Sequence, residues 1–306
     1  MEPRLLADGL KFPEGPVACA DGAVILVEIA AGTLTRIAAD GTKSTVARPG
    51  GGPNGAALGP DGKLYVANNG GFDWITDAEG RIRPALQAQD YSGGRLERID
   101  PASGAVEVLY RECDGRGLRG PNDLVCDMRG GIYFTDLGKR RAREMDVGAV
   151  YYAARDGSAI VEVAYPMVTP NGIGLSPDGA TLYVAETEAA RLWAFDIVEP
   201  GVVEKAPWPS PHGGRLVAGM GGYQRFDSLA VQADGRIAVA TLVNGGITVI
   251  SPDGRHVEHT PMPDPMTTNI CFGGADMKTA FITLSWSGKL VAVDWPTPGL
   301  KLHQAG

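Results

Sequence analysis

Basic runs, long apolar stretches and histidine are all scarce in this chain, and each scarcity removes a class of function. Lys and Arg number 28 against 36 Asp and Glu, a net charge of −8 with no basic stripe, so nucleic acid is not an expected partner. No stretch reaches the roughly 20 apolar residues of a membrane-spanning helix. The opening Met1-Glu2-Pro3-Arg4-Leu5-Leu6-Ala7-Asp8 has no apolar signal core, so a cytoplasmic protein without membrane contact is expected. The four cysteines, Cys19, Cys113, Cys126 and Cys271, are scattered without a Cys-x-x-Cys pair and read as reduced, small apolar residues. Gly-x-Ser-x-Gly, His-Glu-x-x-His and Gly-x-x-x-x-Gly-Lys are all missing. Of four histidines, only His212 falls in a segment that could reach a site. Sustained helical periodicity is lacking as well.

What is present is glycine (43), proline (22) and many short β-branched and aromatic runs, a profile of turns and short strands. The stretch Gly120-Pro121-Asn122-Asp123 through Asp136 reads as a β-hairpin with an amide and a carboxylate at its mouth. Five more copies follow the same plan. Counting back seven residues from the turns at Asp21, Asp61, Arg129, Asp178, Asp234 and Asp276 gives Glu14, Asn54, Asn122, Asn171, Asp227 and Asn269. After the turns come strand-like runs at 24–27, 64–67, 132–135, 182–185, 237–240 and 280–283.

Strand-built repeats spaced 40 to 68 residues apart predict an all-β, six-bladed propeller of four-stranded antiparallel blades in a single domain, 1–306. The last unit is short of an outer strand, for which residues 300–303 and N-terminal residues 3–7 are the two candidates; the N-terminal strand is expected, since it would clasp the ring and hide its edges. If each innermost strand starts at its polar residue, all six polar groups meet at one end of the central channel. The longest loops share that end: 70–92 with Phe72, Trp74 and Tyr91, 139–146 with three arginines, 207–225 with Trp208, His212 and Tyr223, and a last loop with Trp286. Trp74, Tyr223 and Trp286 are therefore candidate substrate contacts.

One Asn or Asp after a turn is ordinary capping. Six at one phase, two of them ionised, converge on a narrow axis, and uncompensated carboxylates there would be costly. A cation resolves that cost. Oxygen donors without histidine or thiolate select a hard ion, Ca²⁺ foremost, then Mg²⁺ or Mn²⁺; Zn²⁺, a borderline ion, is a further candidate.

The motifs Glu14-Gly15-Pro16, Asn122-Asp123, Pro170-Asn171-Gly172, Asp227-Ser228 and Cys271-Phe272-Gly273-Gly274 occur in the order seen in one superfamily. Over essentially its whole length the chain resembles the SMP-30/gluconolactonase/luciferin-regenerating-enzyme family of propeller hydrolases. Residues 184–187 followed by 192–196 also look like the related squid-type diisopropyl fluorophosphatase. The resemblance implies a divalent ion held by Glu14, Asn171 and Asp227, with Asn122 as a fourth ligand or a substrate contact. Asn54 and Asn269 are then substrate-facing or supporting. It further implies hydrolysis of a sugar or related lactone, a small-molecule substrate, with Asp227 as base or nucleophile and Glu14 as a charge-bearing ligand. Two alternatives are a phosphotriester-type hydrolase on the same site and a calcium- or ligand-binding propeller without turnover. The native ion, the substrate and the oligomeric state stay open.

Overall fold

Each apolar run that follows a turn is the second strand of a sheet, buried along nearly its whole length because other sheets stack on both of its faces. Leu64–Asn68, Ile132–Asp136 and Ile237–Leu242 are buried at every residue. Outer strands such as Lys43–Ala47 and Val257–Pro261 are mostly exposed. Contiguous apolar runs and polar outer strands are thus one consequence of radial stacking.

The computed structural model describes residues 2–303 and forms six antiparallel blades. The innermost strands are Pro13–Ala18, Pro53–Leu58, Pro121–Cys126, Pro170–Leu175, Arg225–Val231 and Thr267–Gly273. Each touches the next around the ring, and the sixth touches the first. Arg4–Ala7 pairs with Lys289–Asp294 and completes the sixth blade, so the N-terminal strand closes the ring as expected. The fourth blade is wider than expected, since Arg191–Glu199 pairs with both Val202–Glu204 and Arg215–Gly219. Met1 and residues 304–306 of the expected 1–306 domain lie outside the described residues.

The turns at the far end are built alike. An Asp carboxylate accepts the backbone N–H two residues on at Asp21, Asp61, Asp178, Asp234 and Asp276. In the third blade that role belongs to Asp127 rather than to the aligned Arg129. The 70–92 segment, read as a loop, contains a hairpin of Phe72–Thr76 with Ile82–Gln87. Both strands are at most half-buried and Pro84 interrupts the second, so neither carries a clean hydrophobic period.

A feature with no counterpart in the sequence reading recurs in every inner strand. Its pairing with the second strand slips between Glu14 and Val17, Pro53 and Gly55, Pro121 and Leu124, Pro170 and Ile173, Phe226 and Leu229, and Thr267 and Asn269. These bulges coincide with the six polar positions or adjoin them. A bulge re-aims a side chain out of the alternation of its strand, and six at one phase turn the polar residues toward a common mouth. Among the described residues the only helix is the short 3₁₀ turn Ile29–Ala31, and no helix is long and apolar enough to cross a membrane. The four cysteines are free: Cys113 and Cys126 are buried and Cys19 and Cys271 are half-buried.

Candidate functional site

Five of the six polar positions, Glu14, Asn54, Asn122, Asn171 and Asp227, line the floor of one cavity of about 900 Å³. The sixth, Asn269, stands just behind it and donates from Nδ2 to Glu14 Oε2 at 2.7 Å. The Gly15 backbone N–H meets the same oxygen at 2.9 Å. Glu14 is therefore pinned by two donors while its carboxylate remains on the cavity floor.

Asn171 is fixed from the other side. Its Nδ2 donates to Thr187 Oγ1 at 3.1 Å, which leaves Oδ1 as an acceptor, and Ser228 Oγ approaches Oδ1 at 3.5 Å. The strand beneath it is tied to the third blade by Thr135 Oγ1, which donates to Asn171 O at 2.7 Å. The carboxamides of Asn54 and Asn122 make no hydrogen bond among the described residues, although both residues are buried. Buried amides without protein partners are available to a ligand.

The electrostatics are unbalanced. Burial raises the Glu14 carboxyl above its ordinary value, against hydrogen bonds from Asn269, Thr268 and Gly15 that lower it. Burial also lifts Asp227 well above the carboxylate range, and the nearby Glu14 charge adds to this, with the Asn171 hydrogen bond opposing. Asp123, in the third-blade bulge beside Asn122, is pushed up to about 7 by burial and then by Glu14. Among the described residues none of these three carboxyls forms an ion pair. Lys139, the buried cation nearest in kind, is committed elsewhere: Nζ donates to Asn69 Oδ1 and Gly71 O, each at 2.9 Å, and lies 3.8 Å from the Phe72 ring centroid.

Such a site takes up protons or a cation. No three His, Cys, Asp or Glu side chains among the described residues are gathered as a metal cage. The available set is two carboxylates, Glu14 and Asp227, completed by amide oxygens of Asn171 and Asn122, which suits a hard divalent ion. On donor chemistry the residues fit the group.

None of the three aromatic candidates lines the cavity, although the Tyr223 ring centroid lies 5.7 Å from Cζ of Arg225, which does. Trp74 packs behind the wall, its ring centroid 5.2 Å from that of Phe12 and 6.4 Å from that of Phe72, and it is those two phenylalanines that face the cavity. Trp286 carries the Arg81 guanidinium 3.9 Å over its ring, and Tyr223 is 73% exposed. Neither lines the cavity. His212 is also away from it, buried edge-on against Trp193 with ring centroids 4.5 Å apart. Asp123, the carboxylate that the sequence places at the mouth of the third hairpin and in the Asn122-Asp123 motif without giving it a role, joins Glu14 and Asp227 through its burial and its nearness to Glu14.

The family model described as SMP-30/Gluconolactonase/LRE-like region matches residues 12–285. A gluconolactonase from Zymomonas mobilis subsp. mobilis is 25% identical over 308 residues, covering 92% of this chain and 78% of that protein. A 6-deoxy-6-sulfogluconolactonase from Pseudomonas putida is 28% identical over 247 residues, covering 69% and 83%. Among solved structures, regucalcin from Agrobacterium tumefaciens, described as a calcium-binding protein, shares the fold with a TM-score of 0.78 at 20% identity, over 99% of this chain and 97% of that one.

Proposed function

The chain belongs to the SMP-30/gluconolactonase/LRE-like family, and on that premise we propose that it is a divalent-metal-dependent lactonase that opens a sugar or related lactone to its hydroxy acid. The observation that carries this reading is the pair Glu14 and Asp227, two carboxylates without cationic side-chain partners on the floor of a cavity large enough for a sugar ring. Relatives whose names record lactonase activity support it.

Glu14, Asn171 and Asp227 would hold the ion, with Asn122 as a fourth ligand or a contact to the substrate. When bound, the ion supplies positive charge that polarises the lactone carbonyl and stabilises the negative charge developing on its oxygen. Glu14 contributes charge from a fixed position, since Asn269 and Gly15 hold one of its oxygens. Asp227 takes a proton from the attacking water and returns it to the ring oxygen as the ring C–O bond breaks. Alternatively it attacks the carbonyl carbon itself to give an acyl-enzyme, the opened ring oxygen taking a proton from water and a second water then hydrolysing the acyl bond to free the hydroxy acid. The Asn171 amide draws the basicity of Asp227 down toward the ionised form that either role needs. Asn54 and Asn122 offer free amide groups to ring hydroxyls, and Phe12 and Phe72 cover the ring's apolar face.

The test is proton release on aldonolactones, aromatic lactones and a phosphotriester, alongside the bound-metal content of the purified protein. Asp227→Ala should lower kcat by at least about a thousandfold, and Glu14→Gln should lower bound metal and activity together. A wild-type protein that retains no divalent ion, or that binds ion but opens no lactone, overturns the proposal.

A further inference from the structure

Above its acidic floor the cavity is basic, in a chain of net charge −8. The lining carries five basic side chains, Arg83, Lys139, Arg140, Arg141 and Arg225, of which Lys139 is brought down to about 7 by burial. Apart from the floor carboxylates, its single anion is Glu188. Two of the five are accounted for. Lys139 is spent on Asn69 and Gly71, as above. Arg141 is neutralised by Asp146 through contacts of 2.6 and 3.1 Å, with Glu144 at 3.3 Å.

The other three are not. Arg225 Nη2 reaches Glu188 Oε2 at 3.0 Å, and Arg140 Nη1 stands 4.0 Å from Glu188 Oε1, so two guanidinium groups share one carboxylate. The buried Nε of Arg225 has no hydrogen-bond partner among the described residues. Arg83, exposed on the inserted hairpin, has neither an ion pair nor a side-chain hydrogen bond among them. These side chains come from three separate elements: the 72–87 hairpin, the 139–146 loop and the start of the fifth inner strand.

We propose that the wall formed by Arg83, Arg140 and Arg225 binds an anionic substituent of the substrate, so that the preferred lactone carries a carboxylate, sulfonate or phosphate away from the ring carbonyl. The proposal rests on the lactonase reading for the identity of the substrate, but the subsite stands on its own charges. The guanidinium fork matches such oxyanions with paired N–H donors. Glu188 occupies part of that capacity in the free protein and keeps the two arginines in place without cancelling both.

Calorimetric titration of the full chain with an aldonate, the corresponding aldarate and a phosphorylated aldonate reads the subsite without turnover. One extra anionic group should tighten binding by roughly ten- to a hundredfold. The gain should shrink toward nothing near 1 M salt, where the screening length is about 3 Å. Arg225→Gln and Arg140→Gln should each remove most of it; Arg140 is remote in sequence from Asp227, which separates the effect from damage to the floor. Glu188→Gln should move the other way and strengthen anion binding, which a misfolded variant would not do. Equal affinity for the aldonate and both more highly charged ligands, or a gain that survives both arginine substitutions, overturns the subsite. Lactone turnover by wild type without that charge preference defeats the subsite alone, and the preference without turnover defeats the lactonase reading alone.

Discussion

A buried side chain in this protein is defined by what holds it. Glu14 and Asn269 lie 255 residues apart in sequence yet form one hydrogen-bonded unit, because the first and last inner strands are neighbours in the ring. The six polar positions were legible from their common phase, but their partners were not: Thr187, Ser228 and the buried Asp123 carry no periodic signal. The placement of the aromatic candidates was hidden for a related reason. A tryptophan in a loop can face a ligand or brace the residue that does, and Trp74 braces Phe12 and Phe72. His212 illustrates a buried group with a stability cost. Its Nδ1 accepts the Gly214 N–H at 3.2 Å, its Nε2 has no partner among the described residues, and burial pulls it from 6.5 to about 4. Between those values the unfolded chain binds a proton that the folded imidazole refuses, so stability falls as pH drops from about 6.5 to 4, by no more than about 3 kcal/mol. Denaturant unfolding of wild type and His212→Gln across that range should show this slope in the difference between them. Parallel curves would remove His212 from the account.

At the scale of elements, the inner strand and its bulge make the site. Where the bulge turns a polar residue inward, the neighbouring backbone comes so close that glycine is required. A Cβ at Gly172 would stand 2.6 Å from Asp227 O and 2.7 Å from Leu229 N, both main-chain atoms that cannot swing aside. Gly172→Ala should therefore cost about 1–3 kcal/mol and also lower activity, since the strand displaced is the one that carries Asp227. Thermal unfolding together with lactone assays checks both, and an unshifted midpoint would show that the inner strands are less closely packed than this. A second device sits at the ends of the second strands. Asp136 accepts the N–H groups of Arg119, Gly120 and Gly138, and Glu28, Asn68 and Glu186 take comparable roles in their own blades. These polar residues close the apolar runs of the first four blades and are recognisable in the sequence, but their function as caps for the loop entering the blade depends on where that loop returns. The hairpin within 70–92 was hidden because half-exposed strands do not alternate cleanly.

For the whole molecule, closure is the decisive event. Arg4, Leu5 and Ala7 pair with Ala292, Val291 and Leu290, which satisfies the edge of the sixth blade with residues from the opposite end of the chain. Removing residues 2–7 should expose that edge, lower the unfolding midpoint and promote self-association, as read by calorimetry and light scattering. A truncated chain with the same midpoint and no added scattering would show that the ring closes without its clasp. The repeat of turn, apolar run and polar mouth is local, so the sequence by itself determined the blade number, the four-stranded plan and the phase of Glu14, Asn54, Asn122, Asn171, Asp227 and Asn269, while the choice of residues 4–7 over residues 300–303 as the closing strand was made by the fold. Only the tertiary structure decided which of those six face the cavity, that Asp123 shares their charge environment, and that the mouth above them is basic. Those properties arise from bulges and from loops of different blades meeting in space, and no spacing along the chain encodes such meetings.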